Sequence, residues 1–133
     1  MKHAELVAQE FVCEYITATY PNVLFMSDYA SGLKLKPYQA ATRAKLNGNR
    51  RGFPDLYILE SRRGCHGLFI ELKAAGTRLT KKNGAWASEH IAEQAKMLEE
   101  LENRGYIAKF AVGIEAAINL IDDYFDGEAE ERF

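Results

Sequence analysis

The chain has 133 residues, of which 47% are hydrophobic and 27% charged, and its formal net charge is −2. This composition is typical of a globular protein and excludes a disordered or fibrous chain. The length suits one domain, residues 1–133, that buries about two-thirds of its unfolded surface. No apolar run approaches the ~20 residues that span a bilayer, and the amphipathic N-terminus lacks the apolar core of a signal peptide. We therefore expect a cytoplasmic protein with no membrane partner.

The N-terminal third predicts two helices and a short strand. Ala4 to Thr19 is predicted to be a helix ended by Pro21, and its apolar stripe comprises Leu6, Phe11, Val12, Tyr15 and Ile16. Val23 to Met26 is predicted to be a strand. After a polar loop, an Ala-rich helix is predicted from Gln39 to Leu46, closed by the Asn47-Gly48-Asn49 turn.

The middle of the chain predicts a β-hairpin. Leu56 to Glu60 and Leu68 to Lys73 are strand-like apolar runs, joined by a turn rich in Arg and Gly. The two cysteines, Cys13 and Cys65, occur without a CxxC motif or a matching pair of histidines, which predicts reduced structural thiols rather than a disulfide or a zinc site.

The C-terminal part predicts a helix, a strand and a last helix. Ser88 to Arg104 is the clearest helix, with Ser88 as its cap and Gly105 as its stop. Tyr106 to Val112 is predicted to be a strand and Glu115 to Phe125 a helix, and we expect the tail after residue 126 to be frayed. The element order α-β-(α)-β-β-α-β-α predicts an α/β (α+β) fold with a mixed β-sheet flanked by helices.

The near-neutral total conceals a cationic middle. Residues 29–54 carry six cations and no acid, whereas residues 114–133 carry seven acids and a single arginine. Such a cationic belt suits a polyanion, because affinity for nucleic acid without regard to sequence comes from neutralising phosphates. The alternative is a solvated loop that keeps the protein in solution. The candidate DNA-binding cations are Lys34, Lys36, Arg43, Lys45, Arg50, Arg51, Arg78, Lys81 and Lys82.

Three charged residues stand at the ends of the hairpin strands. Glu71 and Lys73 are two apart on one strand and therefore share a face, while Leu72 points the opposite way. Asp55 begins the partner strand, and an antiparallel hairpin brings the start of one strand next to the end of the other. Two converging carboxylates suit Mg²⁺, and a lysine beside them can steady a nucleophile. The alternative is a surface salt bridge at the strand ends.

Gln94 falls on the apolar face of the helix from Ser88 to Arg104, the face expected to pack on the sheet. A buried amide costs roughly 1–3 kcal/mol unless it finds partners, and a carboxylate–water cluster would supply them. The alternative is a Gln at the edge of this face that reaches solvent.

Together these residues form a recognisable pattern. Gly52-x-Pro54-Asp55, Glu71-x-Lys73, Gln94 and Gly105 resemble the virus-type replication-repair nuclease (VRR-NUC) family of the PD-(D/E)xK nuclease superfamily. The resemblance extends over most of the chain and implies a restriction-endonuclease-like core. It implies that Asp55, Glu71 and the Leu72 carbonyl are metal ligands, that Lys73 is the catalytic lysine and that Gln94 is an active-site residue.

The family also places an acidic or amide residue of the first helix near the metal. Glu5, Gln9 and Glu10 are the candidates, since Glu5 and Gln9 share a helix face and Glu10 adjoins it.

The function expected from this pattern is that of a Mg²⁺-dependent DNA endonuclease, with Mn²⁺ as a substitute. The resemblance further implies a phage-type, stand-alone protein that acts as a homodimer on branched DNA such as Holliday junctions, in repair or recombination. Two alternatives stay open: a catalytically silent DNA-binding module and a restriction-type, sequence-specific nuclease of the same superfamily.

Overall fold

The computed structural model describes residues 3–126. The helices are α1 (His3–Thr19), α2 (Pro37–Leu46), α3 (Glu89–Asn103) and α4 (Ile114–Asp126), and a short 3₁₀ helix covers Tyr29–Gly32. The strands are β1 (Phe25–Ser27), β2 (Leu56–Ile58), β3 (Leu68–Lys73) and β4 (Ile107–Val112). The expected fraying after residue 126 lies outside the described residues, and within residues 3–126 no helix is long and apolar enough to cross a membrane.

The four strands form one mixed sheet in the order β1-β2-β3-β4. β1 pairs with β2 and β2 with β3 in antiparallel fashion, whereas β3 and β4 are parallel and joined through α3. The predicted α/β class, the mixed sheet and the β2–β3 hairpin are thus confirmed. Ser88 caps α3 as predicted, because its Oγ accepts a hydrogen bond from the Ile91 N–H at 3.1 Å.

Helices cover both faces of the sheet. One face packs against α1 and α4 in the main apolar core, where Val12, Ile16 and Ile121 meet the β3 residues Leu68, Ile70 and Leu72. The other face packs against α3 through a second cluster. Its buried members are Met97, Leu98, Leu101 and Ala108, with Phe69 of β3 against them. Side chains of β3 therefore alternate between the two layers, as a strand covered on both faces requires.

Several sequence-based details were wrong: β1 is Phe25–Ser27 rather than Val23–Met26, and β2 ends at Ile58 rather than Glu60. Phe11, expected on the buried stripe of α1, is 50% exposed. The buried face of α1 runs through Ala8, Val12 and Ile16 at four-residue spacing, and position 11 lies about 100° around the helix from position 12. The Ala-rich helix begins at Pro37 rather than Gln39, since the fixed φ of proline suits the first helical position.

Candidate active site

The end of the β2–β3 ladder brings Asp55 and Glu71 together. The ladder stops at the Leu56–Ile70 pair, so Asp55 lies one residue before the paired segment and Glu71 one residue after it. Asp55 is held there by two hydrogen bonds: its N–H donates to the Ile70 carbonyl at 3.1 Å, and its Oδ2 accepts from the Leu72 N–H at 2.7 Å. The position of the Asp55 carboxylate is therefore set by the backbone of β3.

Strand alternation places Glu71 and Lys73 on the α3 side of the sheet, opposite Leu72. Asp55, Glu71 and Lys73 are all buried, with relative exposures of 6%, 2% and 3%. Lys73 Nζ lies 4.0 Å from Glu71 Oε2. A surface salt bridge is therefore wrong as a description of these strand ends, because the charges lie inside the protein, where the cost of desolvation is several kcal/mol per ion.

The protein by itself does not compensate a second negative charge beside Asp55. Burial and, next, the charge of Asp55 raise the pKa of the Glu71 carboxyl to about 10, and the Lys73 ammonium opposes this rise. Glu71 Oε1 accepts no hydrogen bond from any residue of the described segment. A second cation at this position would lower the raised pKa of Glu71 and would give its Oε1 a partner.

Gln94 reaches the same site from α3. Its side chain is buried, at 6% exposure, and among the described residues none donates a hydrogen bond to its Oε1. The solvent-facing alternative for Gln94 is wrong. Gly52 makes this approach possible: its φ is +82°, and a Cβ at position 52 would lie 2.9 Å from the Glu93 carbonyl oxygen.

The three first-helix candidates occupy different environments. Glu5 lines the cavity that also contains Asp55, Glu71 and Lys73, and its charge acts on Glu71. Gln9 is buried, and its Nε2 donates to Ser27 Oγ at 2.5 Å and to the Asp28 carbonyl at 3.0 Å. The Glu10 side chain is exposed. The fold therefore places Glu5 at the site and uses Gln9 to anchor the end of β1.

These residues surround a cavity of about 490 Å³, hereafter the catalytic cavity, between α2, α3 and the end of the hairpin. Arg43, Arg50 and Arg51 line it. Arg43 forms an ion pair with Asp28, and Arg50 Nη1 lies 3.2 Å from Glu100 Oε2. The other predicted DNA-binding cations are exposed and do not line this cavity: Lys34, Lys36, Lys45, Arg78, Lys81 and Lys82.

Sequence reasoning did not find two residues of the cavity wall, His90 and Glu93. The signal was present, because His90 lies four residues before Gln94 and therefore on the same face of α3.

The donor set fits Mg²⁺ better than a metal that needs an all-protein cage. Within residues 3–126 no group of three or more His, Cys, Asp or Glu side chains is arranged to hold a metal. Two carboxylates and the Leu72 carbonyl, which lies beyond the last β2–β3 pair, are oxygen donors, and Mg²⁺ usually retains several waters beside one or two carboxylates. The orphaned Glu71 oxygen is the structural observation that supports this fit.

Comparison with known proteins gives a match among solved structures. No family profile and no curated protein matches the chain. Among solved structures, the chain is similar to a protein described as "VRR_NUC domain protein", with 26% sequence identity and a TM-score of 0.66. The alignment covers 97% of this chain and 93% of the other, so the similarity includes the hairpin, α3 and the first helix.

Proposed function

The chain belongs to the VRR-NUC family by fold and motif, and from this premise we propose that it is a metal-dependent DNA endonuclease. A nuclease domain is what the structural relative indicates. The observation that carries the finer proposal is the pair of buried, unsatisfied acceptors, Glu71 Oε1 and Gln94 Oε1, aimed into one cavity with Asp55 and Lys73. Buried acceptors without donors are costly, so a cavity lined by two residues that carry them is built for ligands.

Asp55, Glu71 and the Leu72 carbonyl would hold Mg²⁺, with Mn²⁺ as a substitute. The cation would supply Lewis-acid stabilisation of charge on the phosphate and lower the pKa of a nearby water. Lys73 contributes a fixed positive charge beside Glu71, which stabilises the negative charge that develops on the phosphate oxygens. Gln94 Oε1 is an acceptor that can orient the attacking water by taking a hydrogen bond from it.

Arg51 of the cavity wall and the exposed cations outside the cavity would hold the DNA backbone. These cations are Lys34, Lys36, Lys45, Arg78, Lys81 and Lys82. Phosphate contacts position the duplex without reading its sequence. This arrangement favours an enzyme that selects DNA by shape over a restriction-type enzyme that reads bases.

We test this function with supercoiled plasmid and with labelled linear, flap and four-way-junction DNA, each incubated with Mg²⁺, Mn²⁺ or EDTA. The proposal requires cleavage that depends on the metal and disappears in Asp55→Asn. DNA binding without cleavage of any of these substrates would instead identify a catalytically silent DNA-binding module. Cleavage at one defined sequence in linear duplex would identify the restriction-type alternative.

We also propose that the enzyme acts as a homodimer on branched DNA, since two sites related by a two-fold axis match the symmetry of a four-way junction. Asp55, Glu71, Lys73 and Gln94 come from one chain, so dimerisation would serve the geometry of the substrate rather than complete the site. Light scattering measures the oligomeric state. Cleavage of junctions no faster than linear duplex would contradict the preference for branched DNA.

A further inference from the structure

Helix α2 separates two concave surfaces. Its Ala40, Ala41 and Ala44 face the catalytic cavity. On the opposite side, Tyr38, Thr42 and Leu46 line a second concavity of about 700 Å³, hereafter the aromatic groove, together with Met26, Tyr29 and Tyr57. Arg43 and Asn47 line both. The aromatic groove thus lies next to the proposed active site, on the other side of one helix, and its volume lies in the range of about 300–1,000 Å³ that ligand clefts occupy.

The aromatic groove exposes side chains that a protein normally covers. Tyr29 is 70% exposed, Tyr38 is 66% exposed and Leu46 is 80% exposed. Tyr57 is less free to move than these side chains, because its ring packs on Phe69 of β3 with centroids 5.0 Å apart. Large apolar side chains clustered at a surface commonly mark a binding site, and here the cluster offers flat aromatic faces.

The charge around the aromatic groove favours a polyanion. Lys36 is the N-cap residue of α2, and the last turn of α2 carries Arg43 and Lys45. Asp28, the one acidic residue among the described residues of the groove wall, is ion-paired with Arg43. Aromatic faces beside a cationic track are the combination that binds single-stranded nucleic acid, where bases stack on the rings and phosphates meet the cations.

We infer that the aromatic groove binds unpaired bases of the DNA whose backbone enters the catalytic cavity. The exposed Lys36 and Lys45, at the two ends of α2, would contact the phosphates of this segment. This inference rests on the proposed nuclease function and deepens it: the substrate would carry a single-stranded segment next to the cleaved bond, as flaps, forks and open junctions do.

The test measures binding of a fluorescein-labelled oligothymidylate of about ten nucleotides, a length within the range that one single-strand binding fold covers. It uses Asp55→Asn protein in EDTA, so that no cleavage occurs. Because base–aromatic stacking contributes about 1–3 kcal/mol per base, Tyr38→Ala should weaken binding by about 5- to 150-fold, and Tyr38→Phe should keep most of it. Binding to a blunt duplex should change less than about twofold. Phe11→Ala, which removes an exposed aromatic from α1 outside the groove, is the matched control.

Both Tyr38 and Tyr29 are mostly exposed, so their substitution leaves the core intact, and a thermal melt verifies this. Tyr29→Ala is a second, independent variant. Unchanged oligothymidylate affinity in both variants overturns the inference. A change of oligomeric state in Tyr38→Ala, with single-strand affinity intact, also overturns it and assigns the groove to a second copy of the chain.

The two proposals fail separately. If the wild-type protein cuts no DNA with Mg²⁺ but its oligothymidylate binding depends on Tyr38, the nuclease function falls and the aromatic groove stands. If the protein cuts DNA and Tyr38→Ala neither loses single-strand affinity nor slows cleavage of flapped substrates, the groove inference falls and the nuclease function stands.

Discussion

Gly52 lies against the main chain of Glu93, so close that a Cβ at position 52 would come within 2.9 Å of the Glu93 carbonyl oxygen. Gly52 precedes the Pro54-Asp55 pair, and Gln94 directly follows Glu93. The contact therefore joins the two segments that deliver Asp55 and Gln94 to the cavity. It gives the glycine of the motif a physical role: it sets how near α3 approaches the end of the hairpin.

Gly52→Ala should therefore impair cleavage as well as stability. The substitution strains a positive φ, at a cost of about 1–2 kcal/mol, and also pushes α3 and Gln94 away from Asp55. Gly48→Ala is the matched control, because φ is +67° there and a Cβ would meet nothing within 4 Å. Melting temperatures and single-turnover cleavage rates of both variants are the measurement. If Gly52→Ala and Gly48→Ala slow cleavage to the same extent, the contact of Gly52 with Glu93 has no part in the site.

The second prediction concerns the buried carboxylates in the absence of metal. Glu71→Gln should abolish Mg²⁺-dependent cleavage yet raise the melting temperature in EDTA at pH 8. Burial and Asp55 raise the pKa of Glu71, so the metal-free fold at pH 8 must bury a charge or take up a proton, and glutamine avoids both costs. Mg²⁺ should stabilise the wild type and leave Glu71→Gln unchanged. A variant that melts earlier in EDTA would show that the Glu71 charge is already compensated within the protein.

Strand periodicity made the centre of this site predictable. The bounds of β3, Leu68–Lys73, were predicted without error. Because side chains alternate along a strand, these bounds also place Glu71 and Leu72 on opposite faces of the sheet. The sequence did not decide which residue of the first helix reaches the site. Glu5 and Gln9 share a helix face, and their distances to the sheet depend on how α1 packs against β3, which no local pattern encodes. The ion pairs of Arg43 with Asp28 and of Arg50 with Glu100 join residues far apart in sequence and were equally invisible.

The third prediction separates the first-helix residues. Glu5→Gln should lower Mg²⁺ affinity and cleavage, since Glu5 lines the catalytic cavity and its charge acts on Glu71. Gln9→Ala should instead destabilise the fold by about 1–3 kcal/mol, because it leaves the acceptors at Ser27 and Asp28 without this donor. Glu10→Gln, at an exposed position, is the control. Titration calorimetry and thermal melts of the three variants decide the assignment, and loss of metal affinity in Gln9→Ala alone would reverse it.

The fourth prediction concerns the arginines of the cavity wall. Arg51→Ala should weaken DNA binding for all sequences alike and reduce the slope of log K against log salt by about one unit, the value for one phosphate contact. Arg50→Ala should have a smaller effect, because Arg50 is partly neutralised by Glu100. Arg63→Ala is the control: its guanidinium donates to the Asp123 carbonyl on α4, away from the cavity. An unchanged slope in Arg51→Ala would make this arginine a solvated charge with no DNA contact.

The last prediction concerns Lys73, whose ammonium lies 4.0 Å from Glu71 Oε2 in a site where both side chains are less than 5% exposed. Lys73→Met keeps most of the aliphatic stem and removes the charge. If the lysine acts in the chemical step, DNA and Mg²⁺ should still bind while single-turnover cleavage falls by about 10²–10⁴, the range for a positioned proton-transfer group.

If the lysine only compensates Glu71, the variant should melt earlier in EDTA, by the equivalent of up to about 3–5 kcal/mol for a broken buried pair. Mg²⁺ should then restore both stability and cleavage, because the metal supplies the missing positive charge. The two roles therefore differ in what saturating Mg²⁺ does: cleavage that recovers fully would make Lys73 a structural cation, and cleavage that stays low in a metal-loaded, fully folded variant would make it catalytic.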